Sequence, residues 1–341
     1  MIDSLLPIWQ RSLARTSINP DEDFFDLGGD VVRARRLFAA IAQMCGKELD
    51  PVTIYQAPTL TALAALLERS VVPPFPTIVR LRPGTNGLPV FIAHGLGDTI
   101  LSYQNLVQHL DSSRPIYGVE ARGINGIGDP LERVEDMAER YLEDMRKLQP
   151  HGPYSLIGGS FGGLVMWEIA RRLAADGQTI GLLAMLDSYP HKRFLTVWQK
   201  TQVAGTLLKH QATELRRMPP KEAFLHLAER ARRKFAARPR GGRSVRFPPP
   251  PGVHLSEAAQ RVRDADYLAW TQYRPNPYKG TVLFVRAEVN RYFPKQAAAV
   301  WAPLAGELTV ETVPGDHYGI ITTEFKQLAA VLSRYLREAS Q

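Results

Sequence analysis

The sequence predicts an α/β domain, a mostly parallel sheet covered by helices on both faces, preceded by a small all-helical unit. Three observations carry this reading. From residue 88 onward, short apolar runs alternate with amphipathic helical segments, the pattern of strands and covering helices. Residues 1–70 show only helical spacing. Between the two, VVPPFPTIVRLRPGTNGLP holds five prolines and two glycines, which bar regular helix and mark a linker. At about 150 residues per domain, 341 residues also suit two cores. The partition read from this is 1–70, a linker with an edge strand at 71–88, and 89–341.

In the first unit, Leu5, Ile8, Trp9 and Leu13 recur at helical spacing, and Ala34, Leu37, Ile41 and Cys45 form the stripe of a second helix. Leu60, Leu63 and Leu67 mark another helix, with Thr59 as its N-cap. Cys45, the single cysteine, reads as a small buried hydrophobe. The edge strand falls at Thr77–Leu81. Strands follow at Pro89–His94, Pro115–Val119, Tyr154–Gly159, Ile180–Asp187, Gly280–Arg286 and Leu308–Val313. Helices fill the intervals at Ile100–Leu110, Val134–Leu148, Phe161–Ala175, Ser256–Tyr273 and Glu324–Glu338. An insertion at about 190–255 interrupts the alternation, with amphipathic helices expected at 195–217 and 220–236 and a proline break at 248–251.

Composition is that of an ordinary globular protein, 45% hydrophobic and 22% charged. No run of 18 apolar residues occurs, and the N-terminus lacks a basic stretch followed by an apolar one. Neither a membrane span nor a secretory signal is read, and the cytoplasm is the expected compartment. One cysteine cannot form an internal disulfide, and no Cys/His cluster has metal-site spacing, so no metal is expected. The net charge of +8 is local: residues 191–246 hold 15 Lys/Arg against 3 Asp/Glu. That segment has no interleaved aromatics and matches no nucleic-acid module, so no nucleic-acid partner is expected. It reads as solvated surface, or else some of Arg230, Arg232, Arg233 and Lys234 attract a phosphate or an acidic partner.

One motif carries chemistry. Ser160 sits in G-x-S-x-G between an apolar strand and an amphipathic helix, where small neighbours permit a tight elbow that lifts a serine from the sheet edge. A serine hydroxyl needs a base, and the base needs an orienting carboxylate. Asp187 ends the next strand, and His317 lies on the loop after the last one. Glu288, at the end of the strand between them, is the competing carboxylate. The backbone N–H groups of Phe161 and of Leu96, the latter in the loop after the first central strand, are the candidate oxyanion donors. His94, in the same loop, reads as a structural histidine that fixes it.

The residues HGLGD (94–98), YGVEARG (117–123), GGSFGG (158–163), LLAMLDSYP (182–190) and GDHYGI (315–320) occur in this order. Together they resemble the type I thioesterase domains that end nonribosomal peptide and polyketide assembly lines. The resemblance implies an α/β-hydrolase fold with a helical lid at the insertion. It implies acyl transfer from a carrier-bound phosphopantetheine thioester to Ser160, then hydrolysis or intramolecular cyclisation. Residues 1–70 resemble a four-helix peptidyl or aryl carrier domain through Phe24, Phe25, Leu27, Gly28, Gly29 and Asp30. Val31 stands where that family has the serine that bears 4′-phosphopantetheine, and no hydroxyl lies between Leu27 and Leu37. No arm is therefore expected on this chain; it belongs on the carrier that delivers the substrate. A replaced serine and a naturally degenerate carrier used for docking both remain open. The resemblance also implies upstream adenylation or other assembly-line modules as partners, and a carrier–thioesterase contact within the chain. The alternatives are a stand-alone esterase or editing thioesterase, or a docking module with an inactive carrier.

Overall fold

The computed structural model describes residues 1–70, 72–217, 219, 247–248, 255–290, 293–294 and 296–339. The N-terminal unit is built from α1 (Ile2–Leu13), α2 (Val31–Cys45) and α3 (Leu60–Glu68), with a 3-10 turn at Pro51–Tyr55 in the place of a fourth helix. The Asp30 carboxylate caps α2 by accepting the Arg33 N–H, and Thr59 caps α3 through the Ala62 N–H, each satisfying an otherwise orphaned donor. The apolar stripes converge on Trp9, which meets Phe24 edge-on at 5.6 Å between ring centres. Cys45 is half-buried rather than buried, because it ends α2 where the stripe leaves the core.

Among the described residues, seven strands form one sheet in the order β1–β3–β2–β4–β5–β6–β7. They are β1 (Ile78–Arg82), β2 (Val90–Ala93), β3 (Ile116–Val119), β4 (Tyr154–Gly159), β5 (Ile180–Leu186), β6 (Tyr278–Val289) and β7 (Ala305–Asp316). Only β1 runs antiparallel, against β3. The central strands are apolar on both faces, and successive side chains enter opposite cores. Leu156, Met185 and Phe284 face one core, built with α5 (Val134–Leu148) and α6 (Phe161–Ala175). Ile157, Ala184 and Val285 face the other, with α4 (Gln104–His109) and the C-terminal helix Phe325–Glu338. This second core is continuous with that of the N-terminal unit.

The two units touch through polar groups as well. The Tyr55 hydroxyl donates to Gln104 Oε1, and the Tyr55 ring stacks on Phe25 at 4.8 Å. Asn125 Nδ2 donates to the Pro73 carbonyl of the linker at 2.7 Å.

Several elements differ from the sequence expectation. The helix expected over 100–110 is a 3-10 turn at Ile100–Tyr103 followed by the short α4, and its entry is capped by the buried Glu120 carboxylate, which accepts the Ile100 N–H, and by Asp98, which accepts the Thr99 N–H. Strand β5 ends at Leu186, since Asp187 turns to φ 47°. Strands β6 and β7 run longer than expected, pairing with each other from Tyr278–Ala305 to Val289–Asp316. In the insertion, α7 covers Val197–Arg217. The helix expected at 220–236 and Arg230, Arg232, Arg233 and Lys234 lie outside the described residues, as does most of the proline break. Helix α8 (Glu257–Gln272) returns the chain to β6, and α9 (Ala297–Trp301), α10 (Gly319–Thr322) and α11 (Phe325–Glu338) complete the fold. Among the described residues, no helix is long and apolar enough to cross a membrane.

Candidate active site

The strand β4 delivers Ser160 into an elbow at the N-terminus of α6. Ser160 has φ 52° and ψ −118°, a strained conformation for a residue with a side chain. Close packing holds it there: a Cβ on Gly158 would lie 2.3 Å from the Gly162 carbonyl oxygen, and one on Gly162 would lie 2.2 Å from that of His94. The Ser160 N–H donates to the Leu186 carbonyl at 2.8 Å, tying the elbow to the neighbouring strand end.

Asp187 follows β5 directly. Its N–H donates to Val285 O at 2.7 Å, and its fully buried carboxylate accepts the Ala287 N–H on Oδ1 at 3.2 Å. Oδ2 faces His317 Nδ1 at 2.8 Å, and His317 Nε2 faces Ser160 Oγ at 2.9 Å. Residues 130 and 157 apart in sequence are thereby brought into one relay. A buried carboxylate beside Nδ1 fixes the proton on that nitrogen and leaves Nε2 free to accept from the serine hydroxyl. Glu288, at the end of β6, is exposed and takes no part in this chain of contacts. Asp316, next to His317, instead accepts the Gly319 N–H at 2.8 Å and shapes the loop.

The loop after β2 approaches the same point. A Cβ on Gly95 would stand 4.0 Å from that of Ser160. His94 is buried, with Nδ1 2.9 Å from its neighbour's carbonyl oxygen at Gly95 and 3.9 Å from Asp266 Oδ2. Among the described residues no hydrogen bond takes up the amides of Leu96 or Phe161, which lie in that loop and at the first position of α6. Aromatic side chains wall the histidine: Phe293 lies 5.6 Å from the His317 ring and stacks on Tyr189, and Tyr318, 67% exposed, sits 5.3 Å away. Tyr189 lies within the LLAMLDSYP motif but was assigned no role there, and Phe293 and Asp266 carry no motif, so sequence reasoning did not find them.

Val31 opens α2, directly after the capping Asp30. Arg33 closes the turn by donating to the Gly28 carbonyl. The side chain at this position is a hydrocarbon with no atom to which a phosphate ester could be joined, so the residues present do not fit a covalently held phosphopantetheine. Among the described residues no group of His, Cys, Asp and Glu is placed to hold a metal ion.

The fold is that of an α/β-hydrolase joined to a helical carrier unit. Residues 88–246 match the family described as thioesterase domain, and residues 3–67 that described as phosphopantetheine attachment site. The two matches together mark a carrier–thioesterase didomain, and its larger unit is a thioesterase. It is 29% identical over 320 residues to malpibaldin synthetase of Mortierella alpina, covering 92% of this chain and 5% of that protein. It is 35% identical over 188 residues to a dimodular nonribosomal peptide synthase of Bacillus subtilis, covering 55% of this chain and 8% of that protein. The chain thus spans only a small part of the curated relatives it matches. Among solved structures, a four-domain nonribosomal peptide synthetase bound to AMP and glycine superposes with TM-score 0.59 at 24% identity, over 98% of this chain and 26% of that one. The type II thioesterase BorB of the borrelidin cluster gives 0.53 at 19% identity, over 76% of this chain and 97% of that one. Both likenesses speak to the fold.

Proposed function

We propose that this chain releases an acyl or peptidyl group from a phosphopantetheine thioester through an acyl-Ser160 intermediate, by hydrolysis or by intramolecular cyclisation. The observation that carries this reading is the placement of His317 between Asp187 Oδ2 at 2.8 Å and Ser160 Oγ at 2.9 Å. His317 Nε2 takes the hydroxyl proton as Ser160 Oγ attacks the thioester carbonyl carbon, and Asp187 steadies the imidazolium that forms. The amides of Phe161 and Leu96 receive the developing oxyanion, each such donor contributing about 2.7–4 kcal/mol in comparable sites. The tetrahedral centre collapses with loss of the thiol, which takes the proton from His317. Water, or a nucleophile within the acyl group, then repeats the sequence at the ester.

Because Val31 offers no oxygen, the thioester comes from an arm held elsewhere: on a carrier other than the one in this chain, loaded by an adenylation domain or another assembly-line module. The test pairs substrates and a variant. Acyl-pantetheine thioesters should turn over much faster than p-nitrophenyl esters of the same acid, and a fluorophosphonate should label Ser160. Equal rates on the two substrate types would favour a general esterase. Absence of both turnover and labelling would favour a docking module.

A further inference from the structure

Helix α8, which follows the lid insertion, crosses the rim of the site and is fastened to three of its parts. The Tyr273 hydroxyl, just past its end, donates to Glu168 of α6 at 3.1 Å. Trp270 Nε1 donates to the Tyr189 carbonyl, two residues beyond Asp187, at 3.0 Å. Asp266 Oδ2 accepts the Gly97 N–H at 2.9 Å.

The last of these bears on the oxyanion donors. Asp266 is 1% exposed, and a carboxylate buried to that degree is costly unless its oxygens are engaged. The groups facing it are the Gly97 amide and His94 from the loop after β2, Tyr141 from α5, and Arg263 from its own helix. Burial pushes its carboxyl up to about 6, against the opposing pull of His94, the Gly97 N–H and Arg263. Gly97 has φ 58°, and a Cβ there would meet Arg263 Cγ at 2.5 Å, so the peptide is clamped between two residues of α8. The Gly97 N–H lies in the peptide plane whose carbonyl belongs to Leu96. Fixing that plane leaves only the two dihedrals of Leu96 between it and the Leu96 N–H.

We propose that Asp266 is a positioning residue for the oxyanion hole: through the Gly97 amide it sets the direction of the Leu96 N–H and couples the lid's return helix to transition-state stabilisation. This rests on the function proposed above and assigns it a further residue. Loss of the Asp266 acceptor leaves the donor in place but free to turn away, so the transition state loses more than the bound substrate does.

The experiment uses the whole chain and a synthetic acyl-pantetheine thioester. Asp266→Ala should lower kcat about tenfold to a hundredfold with KM within about twofold, and Asp266→Asn, which keeps an acceptor oxygen, should recover most of that loss. A folded Ala variant with unchanged kcat overturns the proposal, as does a loss confined to KM. If the Ala variant does not fold, Asp266→Leu, which keeps the volume but offers no acceptor, takes its place, and a kcat equal to that of Asp266→Asn overturns the proposal. Fluorophosphonate labelling of the wild type separates the two readings. No label on Ser160 means that the proposed function has failed, whereas a labelled Ser160 with indifferent Asp266 variants means that only this inference has.

Discussion

Two helices in this chain begin in nearly the same way and differ in what they present. Helix α2 opens with Gly28-Gly29-Asp30-Val31, and α6 opens with Gly158-Gly159-Ser160-Phe161. Each pair holds a glycine that close packing requires: a Cβ on Gly29 would strike the Phe24 ring at 2.2 Å, much as one on Gly158 would strike Gly162. The residues at the two caps part ways. Asp30 is extended, with φ −141°, and is occupied in capping its helix, whereas Ser160 is held at φ 52° with its hydroxyl turned to a histidine. Packing and capping preserve a helix entry whether or not a reactive oxygen follows. Strain is stored at the entry that presents one.

The largest effect that could break this contrast is at the strained cap. Ser160→Ala should reduce thioester turnover by about 10⁴-fold or more, read from steady-state rates, and abolish covalent labelling. Next, Asp187→Asn should cost about 10⁴-fold in kcat by reversing the proton on the imidazole, while Glu288→Gln should leave kcat within about twofold. A comparable loss in the Glu288 variant would transfer the orienting role to it.

The other cap is probed by restoring an oxygen. Incubated with a phosphopantetheinyl transferase and coenzyme A, the native chain should gain no mass, and Val31→Ser should gain one arm, since the surrounding motif and cap are intact. An arm on the native chain would erase the contrast.

The smallest expected effect concerns the seam between the units. Asp50 of the carrier is pushed up to about 6, first by burial and further by Asp98 of the thioesterase, against the Val52 N–H and Arg35. A carboxyl raised in this way favours the folded, docked state when protonated. Its contribution is full below about pH 4 and is lost as pH rises through about 6. The gain in melting temperature from pH 7.5 to pH 5 should therefore shrink in Asp50→Asn, by about 2 °C.

Much of the fold was legible because the central strands are apolar on both faces and their turn residues are distinctive. The limits of β6 and β7 were not, because the two strands extend each other beyond the apolar runs that mark their cores. The cap of the 3-10 turn at Ile100 was hidden for a different reason: the side chain that accepts its first N–H, Glu120, belongs to another strand's end. At the site, Ser160, Asp187 and His317 could be singled out because each stands at a strand end, and the structure brings them within hydrogen-bonding distance. Asp266 could not be singled out. It contacts an amide 169 residues away, and whether it or Asp264 points inward depends on how α8 is rotated against the loop.

The core shared by the two units has a practical consequence for anyone recombining assembly-line parts. A carrier put in the place of this one would need a donor for Gln104 and an apolar face onto which this thioesterase's second core can extend. Such a chimaera would have to re-create that seam before its chemistry could be judged, so the two units are better moved together than cut apart in the proline-rich tether.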